Sequence, residues 1–229
     1  MDVAVTWLGR IDYRAAWAHQ HALVAARAAD EIGDTLLLLE HPAVLTLGRQ
    51  SDPAHVRATP AELAARGIEL IRIERGGEVT YHGPGQLVAY PIVRLAERGI
   101  LLRPFVRALE ASMIRTCAAY GVAAGRLDGR PGCWIDPEGP AARKIGALGV
   151  RIEHGVSYHG IALNVTTRLA DFELIDPCGM PGIAVTSIAR EAGWPDTAPT
   201  TSSVREAAGH FAAAFRDALE EAAAPALAV

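Results

Sequence analysis

Residues 132–166 contain three β-rich runs in close succession. The runs are Gly-Cys-Trp-Ile, Lys-Ile-Gly-Ala-Leu-Gly-Val-Arg-Ile and Gly-Ile-Ala-Leu-Asn-Val, joined by turns rich in Gly, Asp and Pro. Apolar runs of this length, bounded by turn residues, are typical of β-strands. Further strands are predicted at 3–8, 36–39, 44–47, 68–73 and 87–93. Any fold of this chain must therefore accommodate a sheet built from many short strands.

Helices are predicted between these strands. An alanine-rich segment at 13–29 predicts the first long helix, and Pro104 begins a second one with an apolar residue at every fourth position. The residues of that stripe are Phe105, Leu109, Met113 and Cys117. Thr59 is the predicted N-cap of a short helix that starts at Pro60, and a last helix is predicted at 204–220. Strand clusters with helices between them predict an α/β (or α+β) fold with a mixed β-sheet and flanking helices.

The size of the chain favours one domain. With 229 residues, half of them apolar, it is long enough for one sizeable core and short for two. We expect a single domain at 1–222 and a frayed C-terminal tail at 223–229. The net charge of −4 is spread over interspersed positive and negative residues, which argues against nucleic acid or a membrane surface as a partner.

The three cysteines, Cys117, Cys133 and Cys178, argue for a reducing compartment. Their number is odd, and none has the close spacing of a zinc knuckle or a CxxC redox motif. The N-terminal residues also lack a basic start followed by a long apolar stretch. We therefore expect free thiols, no bound metal, a cytoplasmic protein and, by default, a monomer.

Lys144 is the one lysine among 22 basic residues, all the others being arginine. An arginine guanidinium keeps its proton in proteins, whereas a desolvated lysine amine can lose its proton and then act as a base. A composition biased towards arginine would equally leave a stray lysine on the surface. Lys144 is therefore either a catalytic amine or a surface residue, and the motifs around it favour the first interpretation.

Cys178 lies in Asp-Pro-Cys-Gly-Met-Pro-Gly, a stretch with no helical or strand periodicity that would bury it. A thiol on such a turn can project into a cleft, next to backbone N–H groups that hold the oxygen of a bound carbonyl. The alternative is a structural cysteine in a loop. Paired with Lys144, a Cys178 nucleophile would suit acyl transfer, because an amine can activate a thiol and shuttle its proton. Cys133, in an apolar strand, is the weaker candidate, and Cys117 is predicted to be core.

A glycine-rich segment at 75–86 is the third candidate feature. It reads Arg-Gly-Gly-Glu-Val-Thr-Tyr-His-Gly-Pro-Gly-Gln and lies between two predicted strands. Glycines let a ligand approach the backbone closely, while Tyr81 and His82 can line a pocket. An ordinary hairpin loop is the alternative interpretation. The segment His-Gly-Ile-Ala-Leu-Asn-Val at 159–165 has the same ambiguity, and its His159 and Asn164 are possible supporting residues.

Taken in order, these motifs resemble those of the lipoyl(octanoyl) transferases. The four are Arg-Gly-Gly-x-x-Thr-Tyr-His-Gly-Pro-Gly-Gln, Lys-Ile-Gly-Ala-Leu-Gly-Val-Arg, His-Gly-Ile-Ala-Leu-Asn-Val and Pro-Cys-Gly-Met, and they span residues 75–180. The predicted elements before and after them also fit. The resemblance implies the fold of the biotin and lipoate protein ligase catalytic domains.

The resemblance also implies roles for particular residues. It makes Cys178 the acyl-thioester nucleophile and Lys144 the partner that activates the thiol and relays protons. It implies substrate binding by Arg75, Gly76, Gly77, Glu78, Val79, Thr80, Tyr81, His82, Ala147, Leu148, Gly149, Gly160, Ile161 and Ala162. Gly146 is the one departure near these motifs, since many relatives have alanine or serine there.

The implied activity is the first step of endogenous protein lipoylation. Members of the family move an octanoyl group from octanoyl acyl carrier protein to a lysine of lipoyl domains, those of 2-oxoacid dehydrogenases and the H protein of glycine cleavage. No cofactor is expected, because the thioester is already activated and the chain has no Gly-x-x-x-x-Gly-Lys phosphate loop.

Three alternatives remain open from the sequence. An ATP-dependent lipoate ligase would share the fold and use a lysine without needing Cys178. A cysteine hydrolase would use His82 or His159 as a base and water as the acceptor. A binding module without turnover would keep the pocket alone.

The arginines at 94, 98, 103 and 107 allow a further hypothesis. They form either a docking patch for acidic partner proteins or an ordinary solvated face.

Overall fold

The computed structural model describes residues 2–179, 182–195 and 201–223, and only the backbone of Cys178, Thr201 and Ser202. The strands are β1 (Ala4–Arg10), β2 (Thr35–Glu40), β3 (Val44–Leu47), β4 (Glu69–Arg72), β5 (Thr80–His82), β6 (Gln86–Ile92), β7 (Gly125–Leu127), β8 (Arg130–Ile135), β9 (Arg143–Glu153), β10 (Val156–Asn164) and β11 (Ala184–Val185). The α-helices are α1 (Tyr13–Ala28), α2 (Pro60–Ala65), α3 (Leu102–Ala118), α4 (Ile188–Glu191) and α5 (Thr201–Ala223). Short 3-10 helices lie at Pro53–His55, Leu95–Arg98, Leu169–Leu174 and Pro177–Gly179.

Within these ranges the strands form a large sheet and a small one. The large sheet has the order β1-β2-β6-β10-β9-β8-β7, with β11 paired to β9, and the small sheet has the order β4-β3-β5. Most neighbouring strands are antiparallel, whereas β1 with β2, β3 with β4 and β9 with β11 are parallel. The predicted mixed sheet is confirmed.

Helices cover both faces of the large sheet. Helices α3 and α5 pack together on one face over the principal core, and α1 packs on the other face against β6 and β10. The predicted stripe on α3 accounts for its position, because Phe105, Leu109, Met113 and Cys117 are all fully buried. The predicted flanking helices are thus confirmed.

The predicted start of α2 is also confirmed, and its chemistry is a capping box. The Thr59 Oγ1 atom accepts a hydrogen bond from the Glu62 backbone N–H, and the Glu62 carboxylate accepts one from the Thr59 N–H at 2.7 Å. Helix α1 begins in a similar way, since Asp12 Oδ1 accepts from Ala15 N.

Several element boundaries differ from the prediction. Helix α3 begins at Leu102 and carries Pro104 in its first turn, where a missing N–H costs no hydrogen bond. Residues 80–82, in the segment predicted as a loop between two strands, form β5 of the small sheet. The stretch between residue 166 and the helix predicted at 204–220, for which no strand or helix is predicted, contains β11 and α4. Helix α5 extends beyond the predicted 204–220, and residues 224–229 of the predicted tail lie outside the described residues.

Two arginines of the cluster, Arg94 and Arg98, pair with acidic residues of this chain, whereas Arg103 and Arg107 are exposed. The Arg98 side chain is 6% exposed, and its Nε atom lies 2.6 Å from Asp34 Oδ2. Arg94 pairs with Asp30 at 2.7 Å and with Glu97 at 2.6 Å. The docking hypothesis is therefore wrong for Arg98, because a buried guanidinium that neutralises Asp34 is not available to a partner.

Among the described residues, no helix is both long and apolar enough to cross a membrane.

Candidate active site

A cavity of about 460 Å³ is bounded by β9, β10 and the segment 75–82. Tyr13 at the start of α1, Tyr90 of β6, and Gly129 with the first two residues of β8, Arg130 and Pro131, complete its wall. Other lining residues are Gln50, Arg75, Gly76, Gly77, Glu78, Val79, Thr80, His82, Lys144, Ala147, Leu148, Gly149, Val150, His159, Gly160, Ile161 and Ala162. Most of the residues predicted to bind substrate therefore face one space.

Strand pairing explains why two distant motifs meet here. Strands β9 and β10 are antiparallel, and their register sets Ala147 opposite Ala162, Leu148 opposite Ile161 and Gly149 opposite Gly160. Small residues at these positions leave room for a ligand over the sheet. The two motifs form one continuous floor.

Gly149 allows the glycine-rich segment at 75–77 to pack directly against β9. A Cβ atom at this position would lie 2.6 Å from the carbonyl oxygen of Gly76, a distance that no real side chain tolerates. The next residue is tied to the same segment, because Gly76 N donates to the Val150 carbonyl oxygen at 3.2 Å. Glycine at 149 is therefore needed for segment 75–77 to lie directly on β9.

The Arg75 side chain holds segment 75–82 to the small sheet. Its Nη2 atom donates to the carbonyl oxygen and the hydroxyl of Thr46, at 2.7 and 2.9 Å, and its Nη1 atom donates to Gly76 O at 3.0 Å. Arg75 is buried. It thus fixes the backbone of the cavity wall.

Lys144 is buried at the start of β9, so the interpretation as a stray surface lysine is wrong. It is 6% exposed, and its Nζ atom donates to the Pro131 carbonyl oxygen at 3.2 Å. The same atom lies 5.1 Å from the centre of the Trp134 ring, within the range of a cation–π contact. The Pro131 carbonyl and the Trp134 ring both hold the amine at the edge of the cavity.

A bulge in β9 sets the direction of Lys144. On β8, Cys133 pairs with Gly146, but the next residue, Trp134, pairs with Lys144, so Ile145 has no partner there. The bulge turns the Lys144 carbonyl to the other side of β9, where it accepts from Thr186 N at 2.9 Å. Strand β11 is thereby fixed beside Lys144.

The backbone of Cys178 lies in the 3-10 helix Pro177–Gly179, and its side chain is outside the described atoms. Its neighbours locate it. Pro177 and Lys144 line the same small hollow, which Asn164 and Thr80 also border. A Cβ atom on Gly179 would lie 3.2 Å from Glu78 Cγ. The turn that carries the predicted nucleophile is thus adjacent both to the amine and to the cavity wall.

The other cysteines are poor nucleophiles. Cys117 and Cys133 are free and fully buried in the principal core. A hydrogen bond with Cys117, together with burial, raises the pKa of the Cys133 thiol well above its usual value. A thiol that stays protonated does not attack a carbonyl.

His82 presents an unprotonated nitrogen to the cavity. Gln86 Nε2 donates to Tyr81 O at 3.1 Å and to Asn164 Oδ1 at 3.0 Å, so Gln86 Oε1 faces His82 and accepts from its Nδ1 at 2.8 Å. Asn164 Nδ2 donates in turn to Thr186 O. Burial lowers the pKa of His82 well below its ordinary value, which leaves a neutral ring with a lone pair on Nε2.

A second polar chain ends at Tyr13. The hydroxyls of Tyr13 and Tyr90 are hydrogen-bonded, and Tyr90 donates to His41 Nε2 at 2.8 Å. His41 Nδ1 donates to Ile11 O at 2.8 Å. Burial raises the pKa of both tyrosines and lowers the pKa of His41 to about 4, so the whole chain is neutral.

Glu74 anchors a third polar group, which includes His159. Its Oε1 atom accepts from Trp17 Nε1 at 2.9 Å and lies 3.1 Å from His21 Nε2 and 3.3 Å from His159 Nε2. Burial opposes the charge of Glu74, but the hydrogen bonds from His159 and Trp17 outweigh it and lower its pKa to about 2. His159 itself lines the cavity, and burial lowers its pKa.

Two of the predicted residues lie elsewhere, and several cavity residues had no signal. Tyr81 points away from the cavity and donates to Asp171 Oδ2 at 2.9 Å, while Asn164 lies behind His82 in the chain described above. Sequence reasoning missed Tyr13, Gln50, Tyr90, Val150 and residues 129–131, which are brought in by tertiary packing. Of these, Val150 belongs to the Lys-Ile-Gly-Ala-Leu-Gly-Val-Arg motif, and the Asp-Gly at 128–129 was the other local signal.

The departure at Gly146 has a packing reason. A Cβ atom there would lie 2.6 Å from the Met113 sulfur and 3.2 Å from Cys133 Cβ. Alanine or serine at this position requires Met113 to move or to be smaller.

The described residues contain no cluster of three or more His, Cys, Asp or Glu side chains suited to a metal ion.

Solved structures with the same fold are lipoate and biotin protein ligases. A bi-partite lipoate protein ligase of Thermoplasma acidophilum aligns with 97% of this chain and 91% of its own, with 14% identity and a TM-score of 0.64. The biotin protein ligase of Aquifex aeolicus aligns with 95% of this chain and 71% of its own, with 14% identity and a TM-score of 0.54. At this identity the likeness establishes the fold alone.

Sequence relatives are much nearer. The octanoyltransferase of Chloroflexus aggregans is 53% identical over 83% of this chain and 86% of its own length. That of Chloroflexus aurantiacus is 50% identical over 89% of each chain, and that of Acidobacterium capsulatum is 52% identical over 80% of this chain and 78% of its own. Residues 12–216 match the lipoyl protein ligase A/B catalytic domain. The chain therefore belongs to the lipoyl protein ligase A/B catalytic-domain family and, within it, to the octanoyltransferases.

Proposed function

We propose that this protein transfers an octanoyl group from octanoyl acyl carrier protein to a specific lysine of lipoyl domains, through a thioester on Cys178. The observation that carries the proposal is the arrangement around one cavity. A buried amine and the small-residue floor of β9 and β10 line it, and the turn that bears Cys178 shares an adjoining hollow with that amine. The membership of the octanoyltransferases supports the choice of the acyl group.

In the first step the Cys178 thiolate attacks the thioester carbonyl carbon of the donor. A tetrahedral oxyanion forms, the bond between carbon and the carrier sulfur breaks, and the carrier thiol receives a proton from the Lys144 ammonium. The octanoyl group is now a thioester of Cys178. Backbone N–H groups near Cys178 and in the segment 75–82 supply the donors for the oxyanion.

In the second step the lysine amine of the lipoyl domain attacks this thioester. Lys144, now neutral, takes a proton from the attacking nitrogen, and Cys178 leaves as a thiolate. The products are an amide and the starting enzyme. An arginine in place of Lys144 would hold the thiolate but would not return a proton.

The apolar floor gives a basis for acyl recognition. Ala147 and Ala162 lie opposite each other on the cavity face of the sheet, and burial of each methylene contributes about 0.8 kcal/mol, or about 5 kcal/mol for an octanoyl tail. Cavity depth then sets the preferred chain length. No ATP enters this scheme, because the thioester bond already stores the free energy for amide formation.

The proposal includes a cytoplasmic location, a monomeric enzyme, and acceptors among the lipoyl domains of 2-oxoacid dehydrogenases and the glycine cleavage H protein. The free thiols of Cys117 and Cys133 are consistent with a reducing compartment.

The test is to incubate the protein with octanoyl acyl carrier protein, without ATP and without an acceptor, and to map any octanoyl mass gain. We expect a hydroxylamine-labile adduct on Cys178 that is absent in Cys178→Ala and forms slowly in Lys144→Arg. Cys117→Ala is the matched control, because it removes a thiol from the core without touching the cavity.

Other outcomes favour the alternatives. Modification of a lipoyl domain only when ATP and free octanoate are supplied would favour a lipoate ligase. Release of octanoate without an acceptor, at a rate comparable to transfer, would favour a hydrolase with His82 or His159 as base. Acyl binding without a covalent adduct would favour a binding module.

A further inference from the structure

Strands β8 and β9 separate at the cavity. Their pairing ends with Cys133 opposite Gly146, and had it continued, Pro131 would lie opposite Leu148. Instead, Arg130 and Pro131 line one side of the cavity and Leu148 lines the other. Proline has no N–H to donate, so this position of β8 is unable to pair fully with Leu148.

The backbone groups of Leu148 point into this opening. The Val150 carbonyl accepts from Gly76 N, on the side of β9 that faces away from β10. The register with β10 is unbroken from Gly146 to Glu153, so the backbone N–H and C=O groups of successive β9 residues point alternately towards β10 and away from it. Leu148, two residues before Val150, therefore points its backbone groups away from β10 as well. The Leu148 side chain packs against the principal core. What Leu148 offers to the cavity is therefore its N–H and its C=O.

On this side of β9 the pairing with β8 ends at Gly146, and both groups face the cavity that Leu148 and Pro131 line. Their neighbours on the floor, Ala147 and Gly149, bring no polar side chain. A donor and an acceptor side by side on a strand edge match one secondary amide, which supplies the complementary acceptor and donor.

We propose that Leu148 binds the secondary amide of the acyl donor that lies two carbons from the thioester sulfur, in the prosthetic arm of the carrier protein. The inference rests on the proposed function and deepens it. The ligand amide accepts a hydrogen bond from Leu148 N and donates one to Leu148 O, as an added strand residue would.

The position of Lys144 supports the donor as the source of this amide. Its Nζ atom contacts the carbonyl of Pro131, the residue across the opening from Leu148. A thioester within reach of that amine has its arm amide only three bonds from sulfur, at the level of Leu148. The other source with the same chemistry is the main-chain amide beside the acceptor lysine, which is separated from the reacting nitrogen by the whole lysine side chain.

The first test leaves the protein unchanged. Octanoyl thioesters of N-acetylcysteamine, of 2-mercaptoethyl acetate and of N-acetyl-3-aminopropanethiol are compared as donors, in the absence of an acceptor. The second replaces the amide N–H by an ester oxygen, and the third moves the amide by one carbon. We expect kcat/KM for enzyme acylation to fall about tenfold for both analogues, after normalisation to their reaction with hydroxylamine.

The second test changes Leu148. Leu148→Pro removes an N–H that faces the cavity and not β10, and Leu148→Val keeps it as the matched control. We expect acylation by the amide donor to be about tenfold slower in Leu148→Pro than in Leu148→Val. Thermal unfolding checks that both variants fold. If the proline variant does not fold, the comparison of the three donors still tests whether the donor amide is recognised.

The opposing outcomes are distinct. Equal acylation rates for the amide and ester donors would overturn this inference alone. Normal acylation of Leu148→Pro with slow transfer to a lipoyl domain would assign the site to the acceptor main chain instead. Absence of acylation by every donor, octanoyl acyl carrier protein included, would overturn the proposed function and this inference with it.

Discussion

The Nζ atom of Lys144 lies 3.2 Å from the carbonyl oxygen of Pro131, across the opening between two strands that have ceased to pair. A backbone carbonyl accepts from either a neutral amine or an ammonium ion, so this contact positions the nitrogen in both protonation states. Trp134 stabilises the ammonium form through its ring. Both contacts thus fix the position of the nitrogen beside the cavity.

Lys144→Arg should remove proton transfer while keeping the positive charge. We expect the rate of octanoyl transfer to fall by about 100-fold or more, because loss of a general acid–base group has effects of this size. Steady-state transfer to a lipoyl domain measures it. Lys144→Met is the uncharged comparison. If the activity of Lys144→Arg falls together with its thermal stability, the larger side chain does not fit the site. Activity of Lys144→Arg close to that of the wild type would contradict a role of Lys144 in proton transfer.

Gly149→Ala should separate segment 75–77 from β9. The new Cβ atom would lie 2.6 Å from Gly76 O, so we expect a loss of about 1–3 kcal/mol in the free energy of unfolding and weaker use of the acyl donor. Urea denaturation and the KM for the donor are the measurements. Gly33→Ala is the control, since a Cβ there has no atom within 4 Å. Equal behaviour of the two variants would show that segment 75–77 adjusts without cost.

The stability of the protein should depend on pH through His41. Burial lowers the pKa of His41 to about 4 in the folded chain, whereas an exposed histidine titrates near 6.5. Between these values the unfolded chain binds a proton that the folded chain does not. The contribution is therefore fully present above pH 6.5 and is lost as the pH falls towards 4, by about 3 kcal/mol.

Urea denaturation at several pH values tests this, with His41→Gln as the variant that has no titrating ring. We expect a shallower slope of unfolding free energy against pH in His41→Gln between pH 6.5 and 4. His82 has a lowered pKa for the same reason and acts in the same direction, so some slope remains. An unchanged slope would mean that folding does not lower the pKa of His41.

Arg98→Glu should destabilise the fold rather than weaken docking. It would place a carboxylate beside Asp34, which is itself buried, and breaking such a buried pair costs about 3–5 kcal/mol. Chemical denaturation measures the loss. Arg103→Glu, at an exposed position on the same surface, should change stability by less than about 0.5 kcal/mol.

The parts of the fold that the sequence predicts are those with a local physical cause. The four-residue stripe of α3 and the Thr59 cap of α2 depend on neighbours a few positions away, and both were foreseen. β5 was missed because its three residues pair with β3, far away in the chain. The prediction for helix α5 was too short at both ends, because no capping residue was identified in the sequence to mark where the helix begins and ends.

In the candidate site, too, some residues could be predicted from local sequence and others could not. Glycine-rich motifs, a solitary lysine and a cysteine on a turn are visible in the sequence, and the first two prove to border one cavity. Tyr13 and Tyr90 escaped notice because each belongs to a regular element whose pattern looks like ordinary packing. Tyr81 was predicted to line the pocket because it lies in the glycine-rich motif. Side chains alternate between the two faces of β5, and this alternation turns Tyr81 towards Asp171.

The pairing of β11 with Lys144 has a consequence for how this chain can vary in length. Asp176 N donates to His55 O and Gly179 N to Asp176 O, and Thr186 N donates to Lys144 O. The backbone is thus anchored on both sides of residues 180–183, once beside Cys178 and once at Lys144. An inserted or deleted residue there would shift the thiol against the amine, whereas insertions in the exposed turn near Glu138 would leave both in place. Length variation among homologues should therefore be tolerated in the second segment and excluded from the first.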